Sequence, residues 1–413
     1  MTRTRDRYLL VGAIVVQLLA IWFVHWIDTR GYMDTDIYRL GARAWLLGNE
    51  VYGDDLTPES PDTATLPFIY PPFAVLAFVP LTWMSSDAAV VTVAVCSHLA
   101  ILATAYSLAR SSRYLAPRAG QVAVATGMVM PFLTLVEPAR ETLNYGQINL
   151  VLMALVAADC LLPRTPWPRG LLLGLAAAIK LTPLGFALLL LLRRDFRATA
   201  VMAVTFASTV LLGLLAAPDD SADWWLDKML ETGNDMGTVY AGNLTLRSLL
   251  AKQALTGVAL NSLWIIGSLV LLALAVLGIR YALRVRNVPL ALMINAILVL
   301  LVSPISWSHH WVWAAPTLVL LFAMALRHRW YGVQLTLGLV AVTIMVGPQW
   351  YLPYTDDKEL EWTFSQQIVG NAYTLFGIGF LIAAAVACFR LHPPIDPPPA
   401  EERYEVHPSS AVS

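Results

Sequence analysis

Long apolar runs separated by short charged patches dominate this chain, and they restrict the folds that are open to it. The runs are roughly 16 to 26 residues long, close to the length that an α-helix needs to cross the hydrocarbon core of a bilayer. Because lipid offers no hydrogen bonds, only helices satisfy the backbone of runs this long. Hydrophobic residues make up 58% of the 413 residues and charged residues 13%, whereas about a quarter is charged in soluble proteins. The sequence therefore predicts an all-α, polytopic membrane protein.

Basic residues orient the predicted spans, because arginine and lysine concentrate on the cytoplasmic side of membrane proteins. Arg3, Arg5 and Arg7 place the N-terminus inside, and we interpret the apolar run after them as a retained helix rather than a cleaved signal peptide. The predicted spans are residues 8–27, 86–109, 120–136, 147–162, two arms within 169–196, 197–217, 258–283, 288–303, 311–326, 332–347 and 368–390. A single transmembrane domain, residues 1–390, then makes about twelve crossings with both termini inside.

Acidic loops fall on the outer side in this scheme, at about residues 28–85, 218–257 and 348–367. The Pro-rich segment 391–413 is predicted to be a disordered cytoplasmic tail. Residues 68–84 are short and interrupted by prolines, so we interpret them as an interfacial or re-entrant helix on the outer side. The alternative is a true span, which would turn the later arginine clusters outward.

Arginines lie at both ends of residues 169–196. A single crossing would place one of these basic ends on the outer side, against the preference of arginine for the cytoplasmic side. We therefore predict a hairpin of two short helices that turns at Lys180–Pro183 and keeps both basic ends inside. Each arm of about 12 residues reaches only ~18 Å. Lys180 should then lie in a recess below the outer surface.

Two aspartates, Asp34 and Asp36, follow the first span and are the leading catalytic candidates. Carboxylates this close to hydrocarbon are costly unless they are hydrated, paired or used in function. Residues 36–48 predict an amphipathic surface helix, with Ile37, Leu40, Ala44 and Leu47 on its apolar face and an end at Gly48. The two acids would lie at its N-terminus, where the helix dipole favours negative charge.

Further unusual polar and aromatic residues fall on the same predicted side of the membrane. Each has a simple alternative, such as a helix cap, a snorkelling arginine or a member of an interfacial aromatic belt. Together they predict a cavity with cations for a phosphate and with amides and aromatic rings for a sugar. These candidate substrate-binding residues are Tyr70, Arg140, Asn144, Gln147, Asn149, Lys180, Asn243, Arg247, Trp307, His309 and His310.

Other site types are not indicated. The net charge of −1 gives no sign of a nucleic-acid partner. The three cysteines, Cys96, Cys160 and Cys388, lie in or beside apolar runs and have no metal-site or disulfide spacing. Adjacent histidines and a pair of aspartates could make a metal site, but no helical pair of ligands four residues apart is present. We therefore predict no metal and no cofactor.

Several short strings resemble glycosyltransferase family 87, in the family's order and over roughly residues 8–390. The strings are Asp34-Thr-Asp-Ile-Tyr38, Pro67-Phe-Ile-Tyr-Pro-Pro-Phe73, Gly146-Gln-Ile-Asn149, Lys180-Leu-Thr-Pro183, Gly242-Asn-Leu-Thr245 and Ser303-Pro-Ile-Ser-Trp-Ser-His-His-Trp311. The family's essential aspartate stands four residues before the tyrosine of the first loop, which corresponds to Asp34. Leu244 departs from the family's Asn-Gln-Ser string.

The resemblance implies a C-type glycosyltransferase (GT-C) fold and a multi-pass plasma-membrane enzyme whose active site faces outward. It implies an inverting α-(1→2)-mannosyltransferase with polyprenyl-phosphate-mannose as donor and a glycolipid acceptor of the phosphatidylinositol mannoside or lipomannan type. Asp34 would be the base, Lys180, Arg140 and Arg247 would contact the phosphate, and His309 or His310 would contact the acceptor or the phosphate.

Three alternatives remain open at this point. A transporter or flippase of a lipid-linked sugar would share the hydrophobicity, although it should show internal repeats with paired broken helices, which we do not find in the sequence. Another lipid-glycan transferase, of the O-antigen-ligase kind, would lack the Tyr-Pro-Pro and Gly-Gln-x-Asn strings. An assembly subunit without catalytic activity is the third.

Overall fold

A computed structural model of the chain describes residues 2–27, 31–52, 66–229 and 237–390. Regular structure in these ranges is helical, apart from isolated β-bridges such as that between Asn243 and Trp307. The predicted tail, 391–413, and part of the first acidic loop lie outside the described residues. The α-helices are Thr2–Trp26, Met33–Leu46, Pro72–Thr82, Ser86–Ser111, Val122–Leu135, Glu137–Tyr145, Asn149–Leu161, Leu171–Ile179, Ala187–Leu192, Phe196–Ala216, Pro218–Asp223, Leu246–Ala251, Gly257–Arg284, Val288–Val302, Ala314–His328, Tyr331–Val346, Phe364–Gly370 and Ala372–Arg390.

Short turns link several of these helices, and most of these turns lie where polar residues interrupt the apolar runs. The 3₁₀ turns are Ala119–Gln121, Thr182–Phe186, Ser308–Trp313, Pro348–Tyr351 and Lys358–Glu361, and Trp224–Lys228 forms a π turn. Turns of this kind leave backbone groups outside the regular helical pattern, and in membrane proteins such backbone is found where it is buried in protein or lines a cavity.

Six helices in the described ranges are long and apolar enough to cross a membrane. A seventh is added if Val122–Leu135 and Glu137–Tyr145, which meet at 70°, form one broken span. The all-α, multi-pass class is thus confirmed. Each predicted span coincides with an apolar helix, but several of these have fewer than 18 residues. The count of twelve crossings and the extent of the single domain therefore stay predictions.

The hairpin predicted in residues 169–196 is present. Its arms are Leu171–Ile179 and the pair Thr182–Phe186 and Ala187–Leu192, with the break at Lys180. Both basic ends converge on one carbonyl, since Cys160 O accepts from Arg169 Nη1 at 3.2 Å and from Arg193 Nη1 at 3.3 Å. Lys180 consequently lies at the far tip of the hairpin, about 14 Å along the first arm from the arginines.

A separate layer covers one end of the bundle. The surface helix Met33–Leu46 packs on Pro72–Thr82, and the two share a small apolar core that is distinct from the main core of the bundle. Pro72–Thr82 has 11 residues and reaches only about 16 Å. It buries one face in this small core, which favours the interfacial interpretation of residues 68–84 over a true span.

The surface helix differs in detail from the prediction. It begins three residues earlier, at Met33, so that Asp34 and Asp36 lie in its first turn as expected. Its predicted apolar face is only partly correct, because Ile37 is buried whereas Leu47 is 76% exposed. Leu47 lies one residue beyond the last helical residue, Leu46. Tyr38, which was not predicted to lie on the apolar face, is buried and stacks on Phe78 with ring centroids 4.2 Å apart.

Candidate active site

Asp34 is held by a buried amide that comes from a distant part of the chain. Gln147 Nε2 donates to Asp34 Oδ1 at 3.0 Å and to the Tyr70 hydroxyl at 2.9 Å. Gln147 Oε1 in turn accepts from the Tyr38 hydroxyl at 2.7 Å. Tyr38 stands one helical turn after Asp34, a spacing that places both on one face of the surface helix. Tyr38 was not among the predicted site residues, although this spacing could have identified it.

Burial dominates the environment of the Asp34 carboxyl and disfavours its charged form. Burial raises the pKa of Asp34 to about 7, while the charge of Lys180 and the hydrogen bond from Gln147 each lower it. A group with a pKa near the working pH is well suited to accept a proton in catalysis. The geometry thus provides a candidate general base at the surface of the bundle.

Lys180 approaches Asp34 from the hairpin tip, and its ammonium is positioned by two residues. Lys180 Nζ donates to Asn149 Oδ1 at 3.0 Å and lies 3.1 Å from His310 Nε2. Because an ammonium is a donor only, the contact with His310 requires an unprotonated Nε2 on that ring. Lys180 also lies over the ring of Tyr70, 5.6 Å from its centroid.

The two adjacent histidines have different positions. The His310 side chain contacts Lys180, whereas His309 is buried and its carbonyl accepts from Asn149 Nδ2 at 3.1 Å and from Thr142 Oγ1 at 2.9 Å. These two bonds anchor the 3₁₀ turn Ser308–Trp313 on the helices that carry Asn149 and Thr142. The structure therefore assigns the direct contact with the candidate cation to His310.

A cavity of about 50 Å³ opens beside Lys180. Lys180, Asn149 and His310 supply polar groups to its wall. The remaining wall is mainly apolar and is formed by residues such as Leu152, Met153, Phe186, Val299, Leu300 and Trp313. A polar patch that contains a cation next to an apolar wall suits an amphipathic ligand whose head group is anionic.

Asp36 belongs to a different network from Asp34. Asp36 Oδ1 accepts from Ser86 Oγ at 3.0 Å and lies 3.6 Å from Arg39 Nη1. Arg39 also donates to the carbonyls of Leu81 and Met84, so Asp36 helps to join the surface helix to the segment before Ser86–Ser111. Both aspartates were predicted as catalytic candidates, with Asp34 as the base and Asp36 secondary, and their side chains have separate partners.

Asn243 serves mainly to join two loops. Its Oδ1 accepts from Ser306 N at 3.2 Å, and its backbone pairs with Trp307 in the isolated bridge. Lys252, which was not predicted, donates from Nζ to Asn243 O at 2.9 Å. Burial lowers the pKa of Lys252 to about 7, and the charge of Glu359 partly opposes this shift. Lys252 therefore stabilises the loop that positions Trp307.

Trp307 lies against both histidines. Its ring centroid is 5.6 Å from that of His309 and 5.7 Å from that of His310.

Asn144 is buried near the start of the surface helix, where its carbonyl accepts from Tyr32 N at 3.2 Å. Among the described residues, no partner donates to Asn144 Oδ1, which leaves a buried acceptor beside the Asp34 segment.

The two candidate arginines take part in other contacts. Arg140 Nη1 donates to Leu135 O at 2.8 Å, at the bend between two helices. Arg247 is buried and lies over the ring of Trp264, 5.5 Å from its centroid. The cation whose charge acts on the Asp34 carboxyl is Lys180. No group of three or more histidine, cysteine or acidic side chains suited to a metal ion occurs in the described part of the chain.

Comparisons with known proteins agree with the motif resemblance. The sequence model of glycosyltransferase family 87 matches residues 68–304. The chain is 37% identical over 407 residues to the polyprenol-phosphate-mannose-dependent alpha-(1-2)-phosphatidylinositol mannoside mannosyltransferase of Mycolicibacterium smegmatis, with 92% of this chain and 90% of that protein covered. It is 35% identical over 366 residues to the protein of the same name from Mycobacterium tuberculosis, with 86% and 84% covered.

One solved structure is also similar. It is the crystal structure of ArnT from Cupriavidus metallidurans bound to undecaprenyl phosphate. The match has a TM-score of 0.46 and 16% sequence identity, and it covers 92% of this chain and 77% of ArnT.

Proposed function

This chain belongs to glycosyltransferase family 87, and we propose that it transfers mannose from polyprenol-phosphate-mannose to a phosphatidylinositol mannoside or a similar lipid-linked mannoside. The product linkage is α-(1→2). Two relatives that are named for this activity align over most of both chains. One observation supports the assignment most directly. The charge of the recessed Lys180 acts on the Asp34 carboxyl, and Lys180 lines a cavity with both polar and apolar walls.

Asp34 is the proposed base. Forming an α-glycoside from a β-linked donor inverts the anomeric carbon, so the acceptor oxygen attacks from the face opposite the phosphate. As the new carbon–oxygen bond forms, the hydroxyl proton passes to Asp34, and the bond between the anomeric carbon and the phosphate oxygen breaks. Gln147 holds the carboxylate for this transfer through its 3.0 Å bond to Oδ1.

Lys180 is the proposed partner of the departing lipid phosphate. A phosphate that leaves with a second negative charge needs no acid if a cation takes up that charge. Asn149 and His310 hold the ammonium at the cavity. The apolar wall beside it suits the first units of a prenyl chain. The buried side-chain amides of Gln147 and Asn149, which lie near Asp34 and Lys180, suit hydrogen bonds to the sugar.

The active site is proposed to face the extracytoplasmic side. Lys180 lies at the tip of the hairpin opposite Arg169 and Arg193, and basic clusters mark the cytoplasmic side. A donor carried by a long prenyl chain would reach this site from the outer leaflet.

The test compares two aspartate variants in the same assay. Purified protein in nanodiscs receives polyprenol-phosphate-[¹⁴C]mannose and a phosphatidylinositol mannoside, and the labelled product is digested with an α-(1→2)-specific mannosidase. Asp34→Asn keeps the size of the side chain but removes the base, so we expect a loss of about 10²- to 10⁴-fold. Asp36→Asn is the matched control and should keep most of the activity. Full activity of both variants, or the reverse ranking, would refute the assignment of Asp34.

A further inference from the structure

Three aromatic residues that the proposed mechanism does not use form a cluster on the loops beside the candidate active site. The ring centroid of Trp350 is 5.9 Å from that of Tyr240 and 5.7 Å from that of Tyr354, and Tyr240 and Tyr354 are 6.4 Å apart. All three residues are half-buried rather than enclosed in the core. We call Tyr240, Trp350 and Tyr354 the aromatic corner.

A glycine allows the rings to come this close to the backbone. A Cβ atom at Gly242 would lie 2.7 Å from Trp350 Cη2 and 2.8 Å from Tyr240 Cε1. Any larger residue would push both rings away from the loop. The corner is thus built on a backbone position that only glycine fits without displacement.

A buried carboxylate fixes the orientation of Trp350. Its Nε1 donates to Glu137 Oε1 at 2.6 Å. Glu137 is 1% exposed and also accepts from the Tyr373 hydroxyl at 2.8 Å and from Gln349 Nε2 at 3.4 Å. A surface tryptophan that served only as a membrane anchor would not need this inward attachment. The indole ring is therefore held rigidly before any ligand arrives, which lowers the entropy cost of binding.

Continuous contacts link the corner to the candidate active site. The carbonyl of Tyr240 accepts from Asn243 N at 2.8 Å, and Asn243 pairs with Trp307 across the isolated bridge. Trp307 lies against His310, which contacts Lys180. A continuous series of contacts thus connects the corner to Lys180.

We propose that the aromatic corner binds sugar rings of the acceptor other than the ring that receives the new mannose. Pyranose rings expose C–H bonds on one face, and these pack on aromatic rings while the hydroxyls at the ring edge remain hydrogen-bonded to polar groups. Tyrosine and tryptophan offer such a surface at low entropy cost. This inference rests on the proposed function, and it makes the corner a determinant of acceptor length.

Polar groups that can bind sugar hydroxyls stand close to the corner in the sequence. Asp356, Asp357 and Lys358 are exposed shortly after Tyr354, and Glu359 accepts from Ala241 N at 2.7 Å beside Tyr240. The mixed signs of these charges give no net cation for a phosphate to bind. Carboxylates and amides are, by contrast, suitable partners for sugar hydroxyls.

The test uses acceptors of two lengths with the full chain in nanodiscs. The acceptors are octyl glycosides that carry one or three α-linked mannoses, and the donor is polyprenol-phosphate-mannose. We expect Tyr354→Ala to raise the KM for the trimannoside about tenfold and to leave that for the monomannoside within about twofold. The KM for the donor should not change. Tyr351→Ala is the matched control, because Tyr351 lies in the same loop, is 78% exposed and is outside the corner.

Other outcomes separate this inference from the proposed function. An equal effect of Tyr354→Ala on both acceptors would indicate a structural or membrane-anchoring role and overturn the inference, as would no effect on either. If the wild-type chain transfers mannose neither to these acceptors nor to a phosphatidylinositol mannoside, the proposed function fails, and the corner is then tested by saturation-transfer NMR with methyl α-trimannoside. Binding by the wild type that Tyr354→Ala abolishes would still support a sugar site, whereas equal or absent binding would overturn it.

Discussion

Gln147 should control the ionisation of the candidate base, and its replacement by methionine tests this directly. Methionine has a similar length but cannot donate the 3.0 Å bond to Asp34 Oδ1. A hydrogen bond to a charged group contributes about 1.5–3 kcal/mol. Since 1.36 kcal/mol corresponds to one pKa unit, the pKa of Asp34 should rise from about 7 to roughly 8–9.

The rise has a defined kinetic consequence. With a pKa of about 7, roughly half of the Asp34 carboxyl groups are ionised at pH 7. After a rise of one to two units, only about 1–10% would be ionised, so the transfer rate at pH 7 should fall about five- to fiftyfold. Activity should recover at higher pH, because a base whose pKa is raised regains its active form there.

The assay is the initial rate of mannose transfer measured between about pH 5.5 and 9.5, the range that brackets both expected pKa values. Gln17→Met is the matched control. Gln17 is also a buried amide, but it bonds to Thr134 within the helix bundle at 3.0 Å. The Gln17→Met variant should not shift the acidic limb of the pH–rate profile, which is the range where the rate rises with pH as Asp34 ionises. If Gln147→Met lowers the rate by the same factor at every pH, the hydrogen bond does not act through the pKa of Asp34, and the reasoning is refuted.

Three further predictions follow from the same contacts. Lys180→Met should raise the KM for the donor and move the acidic limb to higher pH, because the lysine charge lowers the pKa of Asp34; an unchanged profile and KM would contradict this. Lys252→Met should lower the free energy of unfolding by about 1–3 kcal/mol, since two buried oxygens lose their donor. Thermal unfolding in detergent measures this loss of stability. The acidic limb of the pH–rate profile of Lys252→Met should stay at the wild-type pH. Cysteine substituted at Asp357 should react with an impermeant maleimide in intact cells, whereas cysteine at Val285 should not; labelling at Val285 would invert the proposed topology.

The helical, multi-pass class could be predicted from the sequence because hydropathy is a local property. A run of apolar residues needs a helix in lipid whatever its neighbours are. The hairpin at Lys180 was predictable for a similar reason, since arginines at both ends exclude a single crossing. The family was recognisable from short strings in a fixed order, among them Gly146-Gln-Ile-Asn149 and Lys180-Leu-Thr-Pro183.

The candidate residues were also found largely from the sequence, but their grouping was not. Asp34, Gln147, Lys180 and His310 were all predicted, and they come from four segments that are far apart in the chain. No local pattern shows that Gln147 bonds to Asp34 or that His310 contacts Lys180. Asp36 has the same local environment in the sequence as Asp34, yet its side chain pairs with Ser86 and Arg39.

The tertiary structure decided these points because helix rotation and loop packing depend on contacts between distant residues. Tyr38, which was not predicted to lie on the apolar face of the surface helix, is buried against Phe78. The aromatic corner had no signal in the sequence, because Tyr240 and Trp350 are brought together only where Glu137 anchors one loop beside another. The sequence by itself determined the class of the protein, the positions of its apolar helices and its reactive residue types. Packing alone decided which of those residues face one another.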